Sequence, residues 1–268
     1  METPRTYHCA LITGASSGLG EEYARQLAPA CDAIVLVARR GQLLEDLSNQ
    51  LTTESPGTEV FCVSSDLTNA NDRAELIKTL QSLGMVPDLL VNNAGMGDYG
   101  SFSSADWPKL DAMLQLNITA LTHLCHALLP AMITRGKGAV INVSSLASAL
   151  PMPDFAVYAA SKAYVTSFSD ALRSELAAFN IPVLAVCPGP VHTHFGEVAM
   201  RGNQLSSLPS REGFYTSREK VVSQSIDALL ANKARVYPSW KITLLAAGIS
   251  ILPMAVIRTL LANRRADA

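Results

Sequence analysis

Short apolar runs of strand type recur at residues 9–13, 33–37, 60–63, 89–92, 139–143 and 183–186. Between them lie longer stretches of helical period at 21–29, 42–51, 73–83, 109–133 and 157–179. Alternation of this kind builds successive strand–helix–strand units, in which each helical crossover returns the next strand parallel to the last. Runs such as Ile34-Val35-Leu36-Val37 and Ala139-Val140-Ile141 are apolar at every position, as strands covered by helices on both faces must be. The pattern predicts an α/β fold, a doubly wound parallel sheet flanked by helices, with its ligand crevice at the carboxyl ends of the strands.

No composition break divides this pattern, so residues 1–238 read as one domain and 239–268 as an apolar helical extension. An irregular stretch rich in glycine and proline, about 189–217, reads as a substrate lid. Hydrophobic residues make up 49% of the 268 and charged residues 16%, with a net charge of −2, which argues against nucleic acid as a partner and for a small-molecule ligand. Cys9, Cys31, Cys62, Cys125 and Cys187 are odd in number and widely spaced, so reduced thiols are expected rather than disulfides or a zinc site. Residues 1–8 carry Glu2 and Arg5 and lead into no signal-peptide pattern, and a cytoplasmic location is expected.

Directly after the first strand run comes Thr13-Gly14-Ala15-Ser16-Ser17-Gly18-Leu19-Gly20. A turn from strand to helix must bend sharply, let backbone N–H groups approach a pyrophosphate and leave room for the helix to pack, and three glycines meet those needs. Ser17 is placed to donate to a phosphate. The second strand run ends in Ala38-Arg39-Arg40, with no carboxylate for ribose hydroxyls. Two guanidinium groups there favour a 2′-phosphate, hence NADP(H), with Arg39 the nearer candidate and Arg40 either its partner or a solvated residue at a helix start.

Tyr158-Ala159-Ala160-Ser161-Lys162 falls on a predicted helix, where a spacing of four puts the phenol and the ammonium on one face. A positive charge beside a phenol is expected to lower its pKa toward working pH, which suits a general acid or base. A second string, Tyr237 to Lys241, has the same spacing but contains Pro238, which disfavours a helix through the pair. Ser144 and Ser145 follow the strand at 139–143, and either is placed to polarise a carbonyl, with Ser145 preferred. Asn117 is an amide in an otherwise apolar helix and needs partners, from a functional group or from neighbouring backbone.

Taken together, TGxxxGxG, Ser145 thirteen residues before Tyr158, and YxxxK resemble the short-chain dehydrogenase/reductase family over about residues 8–195. The resemblance implies a Rossmann-like fold and a catalytic set of Asn117, Ser145, Tyr158 and Lys162, with Asn117 holding a water that links the lysine to solvent. It further implies cofactor contacts from Gly14, Ser16, Ser17, Gly18, Leu19, Gly20, Arg39 and Arg40, and from Asp66 and Leu67 at the adenine. Asn93, Ala94 and Gly95 would follow, with Tyr158, Lys162, Pro188, Gly189 and Val191, and Thr193 at the nicotinamide carboxamide. Homodimers or homotetramers are typical of the family. His192 and His194 form an HxH that lacks accompanying ligands, so no metal is expected.

Residues 242–257 carry no charge and are bounded by Lys241 and Arg258. As a helix they would be about 24 Å long, short of a spanning segment, and Pro253 interrupts them. Burial in the protein's own core or against a second subunit, contact with a membrane surface through 240–262, and a spanning anchor all remain open. The expected function is NADP(H)-dependent interconversion of a ketone or aldehyde and an alcohol on a hydrophobic, lipid-like or steroid-like molecule. The alternative is a catalytically silent NADP(H)-binding regulator or scaffold.

Overall fold

The computed structural model describes residues 6–193, 195–201, 212–253 and 255–259. Seven strands, β1 (Tyr7–Thr13), β2 (Cys31–Ala38), β3 (Glu59–Ser64), β4 (Leu89–Asn92), β5 (Ala139–Val143), β6 (Val183–Val186) and β7 (Arg235–Val236), form one sheet. Their order is β3-β2-β1-β4-β5-β6-β7, and every neighbouring pair is parallel. The helices are α1 (Gly18–Leu27), α2 (Gly41–Glu54), α3 (Ala70–Ser82), α4 (Trp107–Leu114), α5 (Leu121–Arg135), α6 (Ala156–Leu176), α7 (Phe195–Ala199), α8 (Arg218–Leu230) and α9 (Trp240–Ile251). This is the doubly wound, Rossmann-like arrangement.

The apolar strand runs serve both faces of the sheet. Ile12, Leu36, Val91 and Ile141 point toward Tyr23, Leu27, Leu44, Leu51 and Val221 of α1, α2 and α8. Their neighbours Leu11, Val35, Leu90 and Val140 point the other way, toward Leu76, Leu124, Leu128, Val165 and Leu172 of α3, α5 and α6. Each such aliphatic side chain contributes about 1.5–3 kcal/mol on burial, so a polar residue at any of these positions would open one layer. The edge strand β3 is only partly covered, and its run is correspondingly more mixed. The buried Asp88 carboxylate accepts from His8 N (3.0 Å) and Cys9 N (2.9 Å), fixing where the central strand β1 begins.

The chain winds outward from β1 to β3, returns to place β4 beside β1, and then winds the other way. The crevice at a reversal of this kind opens at the carboxyl ends of the two central strands. There the turn after β1 meets the loop after β4: Thr13 Oγ1 accepts from Asn93 N and Ala94 N, both at 3.0 Å, and Asn93 Nδ2 donates to Thr13 O at 2.9 Å.

Three parts of the chain differ from the sequence reading. The stretch taken as an irregular lid contains α7, while residues 194 and 202–211 of it lie outside the described residues. Beyond it, α8 and β7 extend the domain with elements the periodicity did not mark, and β7 is only two residues long. The described part of the apolar extension is buried only in part. Of α9 only Ile242 and Ala246 are buried, while Trp240, Leu244 and Ile251 are 67%, 63% and 82% exposed. With apolar residues all around the helix, one narrow face is enough to dock it, and the others are left uncovered.

Candidate active site

The glycine turn has no room for side chains at two points. A Cβ on Gly14 would lie 2.9 Å from Ala94 Cα, and one on Gly20 would fall well inside contact with Gly14 O. Gly14 and Gly18 also have φ of +66° and +64°, a conformation natural to glycine. Ser17 sits at the N-terminus of α1 with extended backbone, and its hydroxyl does not cap the helix. Free N–H groups, the positive end of a helix and two serine hydroxyls therefore converge where a dinucleotide's phosphates would lie.

Arg40, rather than Arg39, covers this turn. Its Nη2 donates to Ser16 Oγ (2.9 Å) and Ser17 Oγ (2.7 Å), because Arg40 stands at the N-terminus of α2 and reaches back across the strand ends. Arg39 is exposed, and its carbonyl accepts from Ser64 Oγ. Leu19 and the buried Gly20 face the core beneath the turn. A turn lined by the Ser16 and Ser17 hydroxyls beneath the Arg40 guanidinium fits the phosphates of a nicotinamide dinucleotide.

Asp66 behaves as a turn residue: its Oδ1 accepts from Thr68 N (3.0 Å) and Thr68 Oγ1 (2.8 Å). Leu67 is buried in the core. A residue that sequence reasoning missed, the buried Arg73, donates through Nη1 to Leu67 O (2.7 Å) and Thr68 O (3.0 Å), pinning this loop. Its only sequence signal was a cation on the inner face of an amphipathic helix, six residues after Leu67.

On the opposite wall, Pro188 O accepts from Leu146 N, Val191 bridges to Thr216, and a Cβ on Gly18 would meet Thr193 Cγ2 at 3.2 Å. Thr193 therefore borders the glycine turn across the crevice. Gly189 allows Ile242 of α9 to pack on it, since an added Cβ would come within 2.5 Å of Ile242 Cδ1. His192 stacks on Tyr215 with centroids 4.2 Å apart, and His194 lies outside the described residues.

Tyr158 and Lys162 share the buried face of α6, with Lys162 Nζ 5.8 Å from the centre of the phenol ring. Lys162 Nζ donates to Val143 O at 2.8 Å. Of the two serines after β5, Ser144 is turned away: its hydroxyl donates to Lys162 O (2.8 Å) and shares a hydrogen bond with Thr166. Ser145 Oγ accepts from Ala147 N, and Ser145 is near enough to the phenol to favour its phenolate form.

The expected acidic phenol is corrected. Burial pushes Tyr158 up to about 12, outweighing Ser145, and burial brings Lys162 down to about 8. With Tyr158 only 7% exposed, removal from water dominates any help from an amine that lies over the ring and is bonded to a carbonyl.

Asn117 lies in a π-helical turn, Gln115–Ala120, that joins α4 to α5. Its Oδ1 accepts from Met96 N (3.0 Å), and its Nδ2 donates to Met96 O (2.9 Å) and Ser161 Oγ (3.0 Å). The Met96 backbone and the Ser161 hydroxyl are thus the partners of this amide. Gly95 keeps the space between it and the lysine: a Cβ there would lie 3.2 Å from Lys162 Nζ and 3.3 Å from Asn117 Oδ1. The decoy pair is separate, since Tyr237 precedes α9 and Lys241 Nζ donates to Gly213 O.

Comparison with known proteins matches this arrangement to one family. The short chain dehydrogenase family profile covers residues 8–203. Among similar proteins, the ketoacyl reductase HetN of Nostoc is 29% identical over 96% of this chain and 89% of its own length. The very-long-chain 3-oxoacyl-CoA reductase of Rattus norvegicus is 32% identical over 88% of this chain and 78% of its own. A short-chain dehydrogenase from Sphingobium yanoikuyae, solved in complex with NADPH, superposes with a TM-score of 0.80 at 29% identity over 95% of both chains. The chain belongs to the short-chain dehydrogenase/reductase family, oxidoreductases that use a nicotinamide cofactor to interconvert alcohols and carbonyls.

Proposed function

We propose that this enzyme is an NADP(H)-dependent reductase of apolar ketones or aldehydes, with Tyr158 as proton donor and Asn117, Ser145 and Lys162 as its supporting set. The observation that carries the reading is Ser145 and Lys162 converging on a phenol walled by Met96, Met152, Phe155 and Phe195 at the carboxyl edge of the sheet. NADP(H), bound by the glycine turn, Arg40 and the loop at 93–95, would supply or accept the hydride. Ser145 donates a hydrogen bond to the carbonyl oxygen and so stabilises negative charge as it develops. Tyr158 Oη passes its proton to that same oxygen, and the high proton affinity of the buried phenol keeps the proton in place until substrate arrives. Lys162, below the ordinary lysine range, is within reach of neutral pH as the next proton source. Asn117 holds the Met96 backbone and so shapes the wall beside the lysine.

Three observations support the finer points. Arg40 over Ser16 and Ser17 favours a cofactor with a further phosphate. The apolar wall favours a hydrophobic substrate. The uncovered side chains of α9, which carries Lys241 and is followed by Arg258, favour membrane-surface contact through the region 240–262. The central test is Tyr158→Phe in an NADPH-oxidation assay over a panel of apolar ketones. Turnover should fall at least a thousandfold while NADPH fluorescence still reports binding. Retained turnover would remove Tyr158 from the chemistry, and a wild-type protein that binds NADPH but reduces nothing would favour the silent regulator.

A further inference from the structure

The ring of Tyr158 is enclosed by aromatic residues that no motif announced. Phe155, at the entry to α6, stacks on it with centroids 4.3 Å apart and planes at 26°. Phe195, which opens α7, lies against the same ring at 5.4 Å and 49°, and Tyr99 stands edge-on to Phe155 at 5.6 Å. Gly97 provides the seat where this wall closes: a Cβ there would meet Phe195 Cζ at 2.9 Å, Ala199 Cβ at 3.2 Å and Phe155 Cε2 at 3.4 Å.

Phe195 is held in place by contacts distant in sequence. Tyr99 N donates to Ala199 O (2.8 Å), and Lys109 Nζ donates to Val198 O (3.3 Å). Just after α7, Arg201 grips Asp98 through two nitrogens, and Lys109 pairs with the same carboxylate at 3.0 Å. The Asp98 side chain is 1% exposed, so this is a built joint rather than a surface pair.

A carbonyl oxygen must approach the phenol hydroxyl to within about 2.6–3.2 Å to take its proton, so a group on the carbonyl carbon must pass these rings. Among the described residues, the neighbours that complete this wall, Met96, Met152 and Val157, are apolar. A charged or polyhydroxylated substituent would lose its water there without a partner. A branched one would have to displace rings that are braced from behind.

We propose that Phe155 and Phe195 determine substrate specificity, admitting carbonyls with one slender apolar flank and rejecting those with two bulky or any charged flank. This rests on the reading of the enzyme as a reductase of apolar carbonyls. Two isomers of equal composition, 2-octanone with methyl and hexyl flanks and 4-octanone with propyl and butyl flanks, set a slender smaller flank against a bulkier one, and pockets typically discriminate by about 10–200-fold per methylene.

The wild type should favour 2-octanone in kcat/KM by at least tenfold. Phe195→Ala should shrink that ratio at least tenfold by raising turnover of 4-octanone, Phe155→Ala should shift it the same way, and Phe195→Trp should widen it. NADPH binding, read by fluorescence, should be unchanged in all three variants and so report that they are folded. A wild-type ratio near one, or a ratio unmoved in both alanine variants with intact NADPH binding, overturns the assignment. Turnover of neither isomer with a polar aldehyde accepted instead overturns the apolar-substrate reading itself.

Discussion

Asp98→Ala should detach the α7 segment without unfolding the sheet, and the size of the effect can be worked from its contacts. Removing one partner of a buried ion pair typically costs about 3–5 kcal/mol, because the remaining charge is stranded. Here the stranded groups are less confined: the Lys109 and Arg201 side chains are 26% and 25% exposed, and Arg201 Nη1 keeps its bond to Ser101 O at 2.8 Å. A smaller cost, about 2–3 kcal/mol, is therefore expected, equivalent to roughly a 30–150-fold rise in segment opening.

Amide hydrogen exchange measures this at Tyr99, whose N–H is bonded to Ala199 O. Its protection should fall by that factor while amides in β1 and β5 keep theirs. The pH dependence follows from the same joint, since the Arg201 hydrogen bond, aided by Lys109, holds the Asp98 carboxyl below its ordinary value. A depressed carboxylate stabilises fully above the unfolded pKa, so protection at Tyr99 should be flat at neutral pH and decline only below about pH 4. In Asp98→Ala that acid-side decline should be absent. Unchanged protection at Tyr99, or equal loss throughout the sheet, would refute a local clamp.

Gly20→Ala should be poorly tolerated, because its Cβ would overlap Gly14 O and Asn93 Nδ2; overpacking of about 3 kcal/mol lowers Tm by about 6–12 °C in thermal denaturation. Arg40→Ala should weaken NADPH binding about 10–100-fold more than NADH binding in fluorescence titration, the value of a charge-assisted contact, with Arg39→Ala doing less. Equal losses for both cofactors would refute the role of Arg40. Flotation with phosphatidylcholine/phosphatidylglycerol vesicles should carry the wild type upward and leave a Leu244→Asp/Ile251→Asp variant behind, with its oligomeric mass unchanged. A loss of mass instead would make α9 a subunit contact.

What the sequence revealed depended on whether the determinant was local. The strand runs, the glycine turn and the four-residue spacing of Tyr158 and Lys162 are set within one element and its neighbour, and each is found where it was expected. Asp98 and Arg201 are 103 positions apart, and neither sits in a pattern that would pair them. The choice between Arg39 and Arg40 depended on how the first turn of α2 leaves the sheet, which no periodicity encodes. The phenol was misjudged for a related reason: the charge of Lys162 was visible in the motif, but the burial contributed by Phe155 and Phe195 was not. The exposure of α9 was likewise hidden, since an all-apolar helix reads the same whether covered or bare.

The π-helical turn at Gln115–Ala120 gives the two helices it joins a fixed relative phase. Leu110 and Met113 pack near the phenol before it, and Leu121, Leu124 and Leu128 pack against the sheet after it. One residue corresponds to about 100° of helical rotation. Deleting any one of the six would swing the three downstream leucines toward water and carry Asn117 off the Met96 backbone in a single step. Chain length across this joint is thus constrained more tightly than side-chain identity, and one missing codon there should do more harm than most substitutions.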